Sequence, residues 1–239
     1  MKCLDLSLPT PEERLACDEA LLGQCEAGGG PEVLCFWESP THFVVLGYAN
    51  KVATEVNQQA CASLGIPVLR RVSGGGTVVQ GPGCLNYGVV LTVARDAELQ
   101  TIRGANQYIL SRQRQALERV LGKPVAACGD TDLACGGLKF SGNAQRRGRN
   151  CLLFHGTLLL GLDLTLMERL LPFPSKQPAY REGRPHSSFV ANIHADAAAV
   201  KRAIREVWDA HERLERAPLE RISRLVAEKY SSPAWNLRF

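Results

Sequence analysis

Hydrophobic and polar positions along the chain fall into alternating helical and strand periods. Thr10 followed by Pro11, Glu12 and Glu13 reads as an N-cap, a first-turn proline and an acidic first turn. Leu15, Leu21 and Leu22 continue it as an apolar stripe, which predicts a helix over about 11–24. "EAGGGP" breaks that helix, after which "EVLCFW" and "HFVVLG", separated by "ESPT", read as paired strands. "TEVNQQACASLG" has helical spacing and closes on Gly65, and "IPVLRRV" is a strand running into "SGGG". "CLNYGVVLTV" predicts a strand and "TIRGANQYILSRQRQALERVLG" a long amphipathic helix ending at Gly122. "LACGGLKFSGNAQ" predicts a hairpin turning at Gly136 and Gly137, and "NCLLFHGTLLL" the arm of a second one after "RRGR". Beyond about residue 163 the pattern is mostly helical, with a proline-broken basic loop over 172–187. No repeat or linker interrupts these periods, so a single α+β domain over 1–239 is expected.

Composition narrows the class without choosing a function. With 45% hydrophobic and 22% charged residues the chain is of ordinary globular composition. Its opening lacks a basic start followed by an apolar signal core, and no apolar run has the length of a membrane span, so a cytoplasmic protein without membrane attachment is expected. Nine scattered cysteines with no Cys-x-x-Cys pair signal neither a disulfide framework nor a zinc site, and reduced thiols are expected. The net charge of +4 is mild, so nucleic-acid binding is an alternative resting on that balance alone and no nucleic-acid partner is expected, while basic runs at 145–149 and 180–186 could receive an acidic partner or a polyphosphate.

Three stretches carry candidate chemistry. In "RRVSGGGTVV" (70–79) the spacing fits neither a dinucleotide fingerprint nor a Walker A loop. It offers arginine at the end of a strand, then a turn whose glycines let an anion approach converging amides; a plain glycine-rich hairpin turn is the other reading. In "GLKFSGNAQ", period-two alternation sets Lys139, Ser141 and Asn143 on one face and Leu138 and Phe140 on the other. In "NCLLFHGTLLL", Cys151, Leu153, His155 and Thr157 share a face opposite Leu152, Phe154, Leu158 and Leu160. A structural histidine and a packed cysteine are the bland readings of that strand.

Together, "RRVSGGGTVV", "LNYGVV", "DLACGGLKFSGNAQ" and "LFHGTLLL" occur in the order and approximate spacing of the lipoate-protein ligase A family, which this chain resembles from about residue 10 to 236. "LACDEALL", "VVLGYANKVATEVN" and "SSPAWN" add to the likeness. The resemblance implies a mixed, largely antiparallel sheet flanked by helices, related to the class II aminoacyl-tRNA synthetase and biotin-protein-ligase core. It implies a reaction in which lipoate or octanoate attacks the α-phosphate of ATP, and the resulting acyl adenylate is taken up by a carrier lysine. Arg71 and the backbone of Gly74, Gly75, Gly76, Thr77, Val78 and Val79 would hold the nucleotide. Lys139 would bridge the acyl carbonyl and the phosphate. Ser141, Gly142, Asn143, His155 and Gly156 would line the acyl substrate, and Mg2+ would accompany ATP on ligands that the sequence does not identify.

The implied partner is an acidic lipoyl carrier domain, of the E2 or glycine-cleavage H-protein type, steered by Arg146 to Arg149 and Arg181 to Arg184. Larger family members continue into an accessory domain, whereas this chain stops three residues after Asn236, so a separate accessory protein is a further expectation. Gln80-Gly81 and Gly83-Cys84 stand where the family often has His-Asp and Gly-Asn. The rival within the superfamily is an octanoyl or lipoyl transferase carrying the acyl group on a cysteine, for which Cys128 is the candidate. The glycine at position 76 favours the ligase branch, because transferases tend to have arginine there. A non-catalytic acyl- or nucleotide-binding protein of the same fold is a third reading.

Overall fold

The structure, a computed structural model, describes residues 1–6 and 8–239. The chain opens with β1 (Lys2–Asp5), α1 (Pro11–Glu26), β2 (Val33–Glu38), β3 (Phe43–Leu46), α2 (Val52–Glu55), α3 (Gln58–Ser63), β4 (Val68–Arg70), β5 (Val78–Gln80) and β6 (Cys84–Thr92). It continues through α4 (Ile102–Leu121), β7 (Ala126–Cys128), β8 (Asp132–Cys135), β9 (Leu138–Arg147) and β10 (Cys151–Leu159). It closes with α5 (Thr165–Leu170), α6 (His186–Phe189), α7 (Ala197–Trp208), β11 (Glu212–Arg213), α8 (Leu219–Leu225) and α9 (Pro233–Asn236).

The main sheet has eight strands in the order β11-β1-β2-β6-β10-β9-β8-β7, parallel at β11-β1-β2 and antiparallel from β2 onward. This is the mixed, largely antiparallel sheet that the family likeness implies. Alternation along β10 holds: Leu152, Phe154, Leu158 and Leu160 join a core with α4 and α7, while Cys151 and Leu153 join one with α1 and α8. α1 starts as its sequence dictates, with the Thr10 side chain accepting from the Glu13 amide and Glu13 reaching back to Thr10. α4 ends on Gly122 in the left-handed region, φ 62°.

Four expectations change. The strands "EVLCFW" and "HFVVLG" are not partners: β2 lies in the main sheet, whereas β3 is the middle of a separate three-stranded sheet ordered β4-β3-β5. Its Phe43 and Val45 turn inward and share a core with Val33, Cys35 and Trp37 of β2, so the two strands pack against each other across the sheets instead of pairing. Because β4 and β5 flank β3, parallel and antiparallel to it, "SGGG" crosses over the end of β3 and is not a hairpin turn. The single helix expected over 54–65 is broken by extended Val56, and α3 restarts on an Asn57 N-cap. Cys25 and Cys151 are joined as a disulfide, correcting the expectation that all thiols are reduced. Nothing in the local sequence signals the pair, since the two cysteines lie 126 positions apart.

Arg70 accounts for one of the two arginines of the glycine stretch. Its side chain, 0% exposed, donates to the carbonyls of Gly47 at 2.9 Å, Asn50 at 2.8 Å, Trp235 at 3.2 Å and Arg238 at 2.6 Å. Trp235 Nε1 donates back to the Arg70 carbonyl, and Asn236 Oδ1 accepts from the Arg70 amide. A planar fork of donors surrounded by carbonyls is a clasp, and its full burial closes it to an anion from solvent.

Candidate functional site

A cavity of about 1250 Å³ opens between the two sheets. Beneath it run two cross-strand rows on the α1 side of the main sheet. Register places Cys35, Gly88, His155 and Ala144 in one row, and Trp37, Asn86, Thr157 and Gly142 in the next. Gly88 leaves a pit: a Cβ there would fall 2.7 Å from Cys35 Sγ and 3.4 Å from Asp18 Oδ1. Through that pit Asp18, 3% exposed on α1, reaches His155 Nδ1 at 2.5 Å. His155 Nε2 in turn lies 2.5 Å from Ser73 Oγ, so helix, sheet and glycine loop are joined through one imidazole. Leu15, Trp37 and Val45 make this end of the cavity apolar; Met167, Leu171 and Phe189 do so at the other.

The middle is cationic and rich in donors. Arg71 is buried, with Nη2 donating to Gly74 O at 2.5 Å and Gly76 O at 2.8 Å, and Nε donating to Ser73 Oγ at 3.0 Å. Burial pushes its guanidinium down to about 10, so it is a cation at neutral pH. By gathering the loop's carbonyls, Arg71 turns its amides the other way. Among the described residues the amides of Gly74, Gly75 and Gly76 donate to no protein acceptor. All three glycines line the same cavity as Lys139, and successive unpaired amides in a turn are groups that can receive an anion. Lys139 Nζ stands over Gly142, where a Cβ would come within 3.0 Å of it, and pairs with Asp132 Oδ1 at 2.8 Å.

Most of the expected residues meet here. Arg71, Gly74, Gly75, Gly76, Thr77, Val78, Val79, Lys139, Gly142, Asn143, His155 and Gly156 all line the cavity, whereas Ser141 does not. The face prediction for β9 fails for a physical reason. A register shift opposite Leu133 and Ala134 inserts an extra residue between Lys139 and Ser141, so Gly142 shares the side of Lys139. Asn143 is turned to the other face of the sheet: Tyr87 Oη donates to its Oδ1 at 2.5 Å, and its Nδ2 donates to Thr131 O at 2.6 Å. Its carboxamide fills the space that a side chain on Gly156 would need.

Asp18 and Asn86 line the cavity and Tyr180 reaches it through Asp132, and none of the three had a role in the sequence reading; Thr157, on the face of His155, and Asp132, the aspartate kept where the family has Asn-Asp-Leu, line it as well. For Asp18 the signal was an acid within the apolar stripe of α1. The basic run at 180–186 is not a free surface: Arg181, 4% exposed, stacks against Phe173 and Phe189, and Arg184 donates to the carbonyls of Tyr180 and Arg181. Among the thiols, Cys17 and Cys84 are pushed up to about 12 by burial. Cys128 is raised as well, by desolvation and then by the Asp132 carboxylate, and no cysteine lines the cavity among the described residues. No helix among the described residues is long and apolar enough to cross a membrane.

A sheet open at one face onto a cavity that joins apolar ends to a loop of unpaired amides and a lysine is the architecture of an acyl-activating or acyl-transferring enzyme. Residues 10–211 match the lipoyl protein ligase A/B catalytic domain, and the chain belongs to that family. It is 31% identical to the octanoyltransferase LipM of Moorella thermoacetica over 198 residues, 73% of this chain and 70% of that protein. A lipoate-protein ligase A crystallised with ATP superposes with a TM-score of 0.82 at 25% identity, over 99% of this chain and 98% of that one. The bi-partite lipoate protein ligase of Thermoplasma acidophilum, studied with its E2 lipoyl domain, gives 0.82 at 24% identity, over 99% and 95%. The protein is thus an enzyme, a lipoate-protein ligase or a related lipoyl or octanoyl transferase.

Proposed function

We propose that the protein is an ATP-dependent lipoate-protein ligase. The observation that carries this reading is the pairing, in one cavity, of Gly74 to Gly76 amides that donate to no acceptor among the described residues with the Lys139 ammonium, while no thiol of those residues lines that cavity. A carboxylate is a poor acylating agent because its leaving group would be oxide. Attack on the α-phosphate of ATP expels pyrophosphate and leaves an acyl adenylate, whose carbonyl the ε-amine of a carrier lysine attacks with departure of AMP. Both steps develop charge on phosphate and carbonyl oxygens, which preorganised amides and an ammonium stabilise. The apolar end at Leu15 and Trp37 fits an aliphatic acyl chain, and the end at Met167, Leu171 and Phe189 fits a flat base. Arg71 acts by holding the loop open rather than by touching phosphate.

Magnesium would travel with the nucleotide and offset its charge. The described residues hold no group of three or more His, Cys, Asp or Glu side chains suited to a metal, so phosphate oxygens would supply most of its ligands. A lipoyl carrier domain is the acceptor this reading requires, and the exposed Arg146 and Arg149 supply the positive rim for it.

Pyrophosphate release from ATP and lipoate tests the reading directly. Lys139→Ala should lower it by about 100-fold or more, the range for losing a charge-stabilising donor. Cys128→Ser should leave it nearly unchanged, because its thiol is raised and lies outside the cavity. An acyl thioester trapped on Cys128, with no pyrophosphate formed, would replace this reading with the thiol-dependent transferase.

A further inference from the structure

Lys139 does not face the cavity alone. Asp132 Oδ1 takes its ammonium at 2.8 Å, and the other carboxylate oxygen, Oδ2, accepts the phenol proton of Tyr180, also at 2.8 Å. Asp132 opens β8 and is fixed by the sheet. Tyr180 comes from the segment between α5 and α6, in which Lys176, Gln177 and Pro178 wall the cavity. Its ring packs on Phe189 at 5.1 Å, and its carbonyl accepts from Arg184 Nη2 at 2.7 Å. Just beyond α6, the Ala191 amide donates to the Lys139 carbonyl at 2.9 Å. One connected stretch of chain therefore holds this lysine by its backbone, and by its side chain through Asp132.

We propose that Asp132 and Tyr180 are positioning residues for Lys139, with Asp132 anchoring the ammonium and Tyr180 offsetting the negative charge that the anchor brings to an anion site. The proposal rests on the ligase reading above. An ammonium has three N–H bonds; giving one to Asp132 fixes Nζ over Gly142 and leaves two for substrate carboxylate and phosphate oxygens. The cost is an acid beside a polyphosphate. Tyr180 donates a hydrogen bond to that acid, and desolvation together with the Asp132 carboxylate pushes its phenol far above the usual range, so it stays protonated.

The two substitutions then act in opposite senses on ATP. Asp132→Asn removes both anchor and repulsion: kcat for pyrophosphate release should fall about 30-fold while KM for ATP stays level or drops, as for loss of a charge-assisted contact. Tyr180→Phe keeps the anchor and uncovers the charge: KM for ATP should rise about five- to tenfold, one hydrogen bond's worth, with kcat within about threefold. A packing defect would not split the parameters this way. A second readout needs no turnover: reductive methylation of Lys139 in the substrate-free protein, followed by mass spectrometry. It should quicken about tenfold in Asp132→Asn, which frees the amine, and slow in Tyr180→Phe, which leaves the ion pair tighter. If the wild type releases no pyrophosphate, the ligase reading fails and the labelling rates alone decide. If it does, then KM moving the same way in both variants, or labelling unchanged in both, overturns the proposal. Should Asp132→Asn not fold, Tyr180→Phe decides by the same two measurements.

Discussion

Gly88 and Gly156 show how much of the site is set by side chains that are absent. Gly88 makes the pit that admits Asp18, and a methyl group there would meet Cys35 Sγ at 2.7 Å. Gly88→Ala should cost about 1–3 kcal/mol as overpacking and raise KM for the acyl substrate, read by thermal melting and steady-state kinetics. Gly156→Ala works on the opposite face, where it evicts the Asn143 carboxamide and leaves the buried Tyr87 hydroxyl unpaired. A drop of about 1–3 kcal/mol, visible in chemical denaturation, is expected. At this scale the glycine triplet and the inward face of His155 were legible from a run of glycines and a strand of period two, whereas the alternation that grouped Lys139 with Ser141 and Asn143 broke at the irregularity in β9. Asp18 was not, since it meets His155 across 137 positions and reads locally as one more acid in a helix. Arg70 and Arg71 looked alike in sequence; only tertiary carbonyls distinguish a clasp from a loop shaper.

Among the elements, the crossing of "SGGG" over β3 matters most. A hairpin would have consumed its amides in a ladder; a crossover leaves them unpaired and needs other groups to hold the loop in place. Arg70 is that support, binding the stretch around Gly47 to Asn50 and the chain at Trp235 and Arg238 to the same guanidinium. Arg70→Leu should therefore strand several buried carbonyls and lower stability by about 3 kcal/mol or more. Amide exchange near residues 47–50 and 73–76 should quicken in the same variant, and unchanged protection would show that the loop stands without the clasp. Helices α1 and α4 and the strands of the two hairpins were readable because capping residues and long apolar periods are local signals. Strand partners were not: β2 and β3 are adjacent in sequence and equally apolar, and no local signal says that they belong to different sheets.

On the scale of the whole molecule, three cores meet at the cavity, and its walls come from both ends of the chain: Leu15 and Asp18 from α1, Phe189 and Val190 from the end of α6. The bond between Cys25 and Cys151, both under 10% exposed, ties α1 to the start of β10 on the side of the sheet that carries His155. Closing so long a loop restricts the unfolded chain, by up to about 5 kcal/mol on the chain-entropy account. A lower melting temperature for Cys25→Ser is expected, and an unchanged one would mean that packing alone holds α1 in place. The same bond has a mechanical meaning. Stretched by its two ends in an optical trap, the oxidised chain would unravel only outside the bridge, and the residues between Cys25 and Cys151, which lie 126 positions apart, would bear no tension. Severing the bridge with a reductant would release roughly 450 Å of extra contour at about 3.6 Å per residue, so the length of a single pulled molecule would report the state of a bond that solvent hardly reaches.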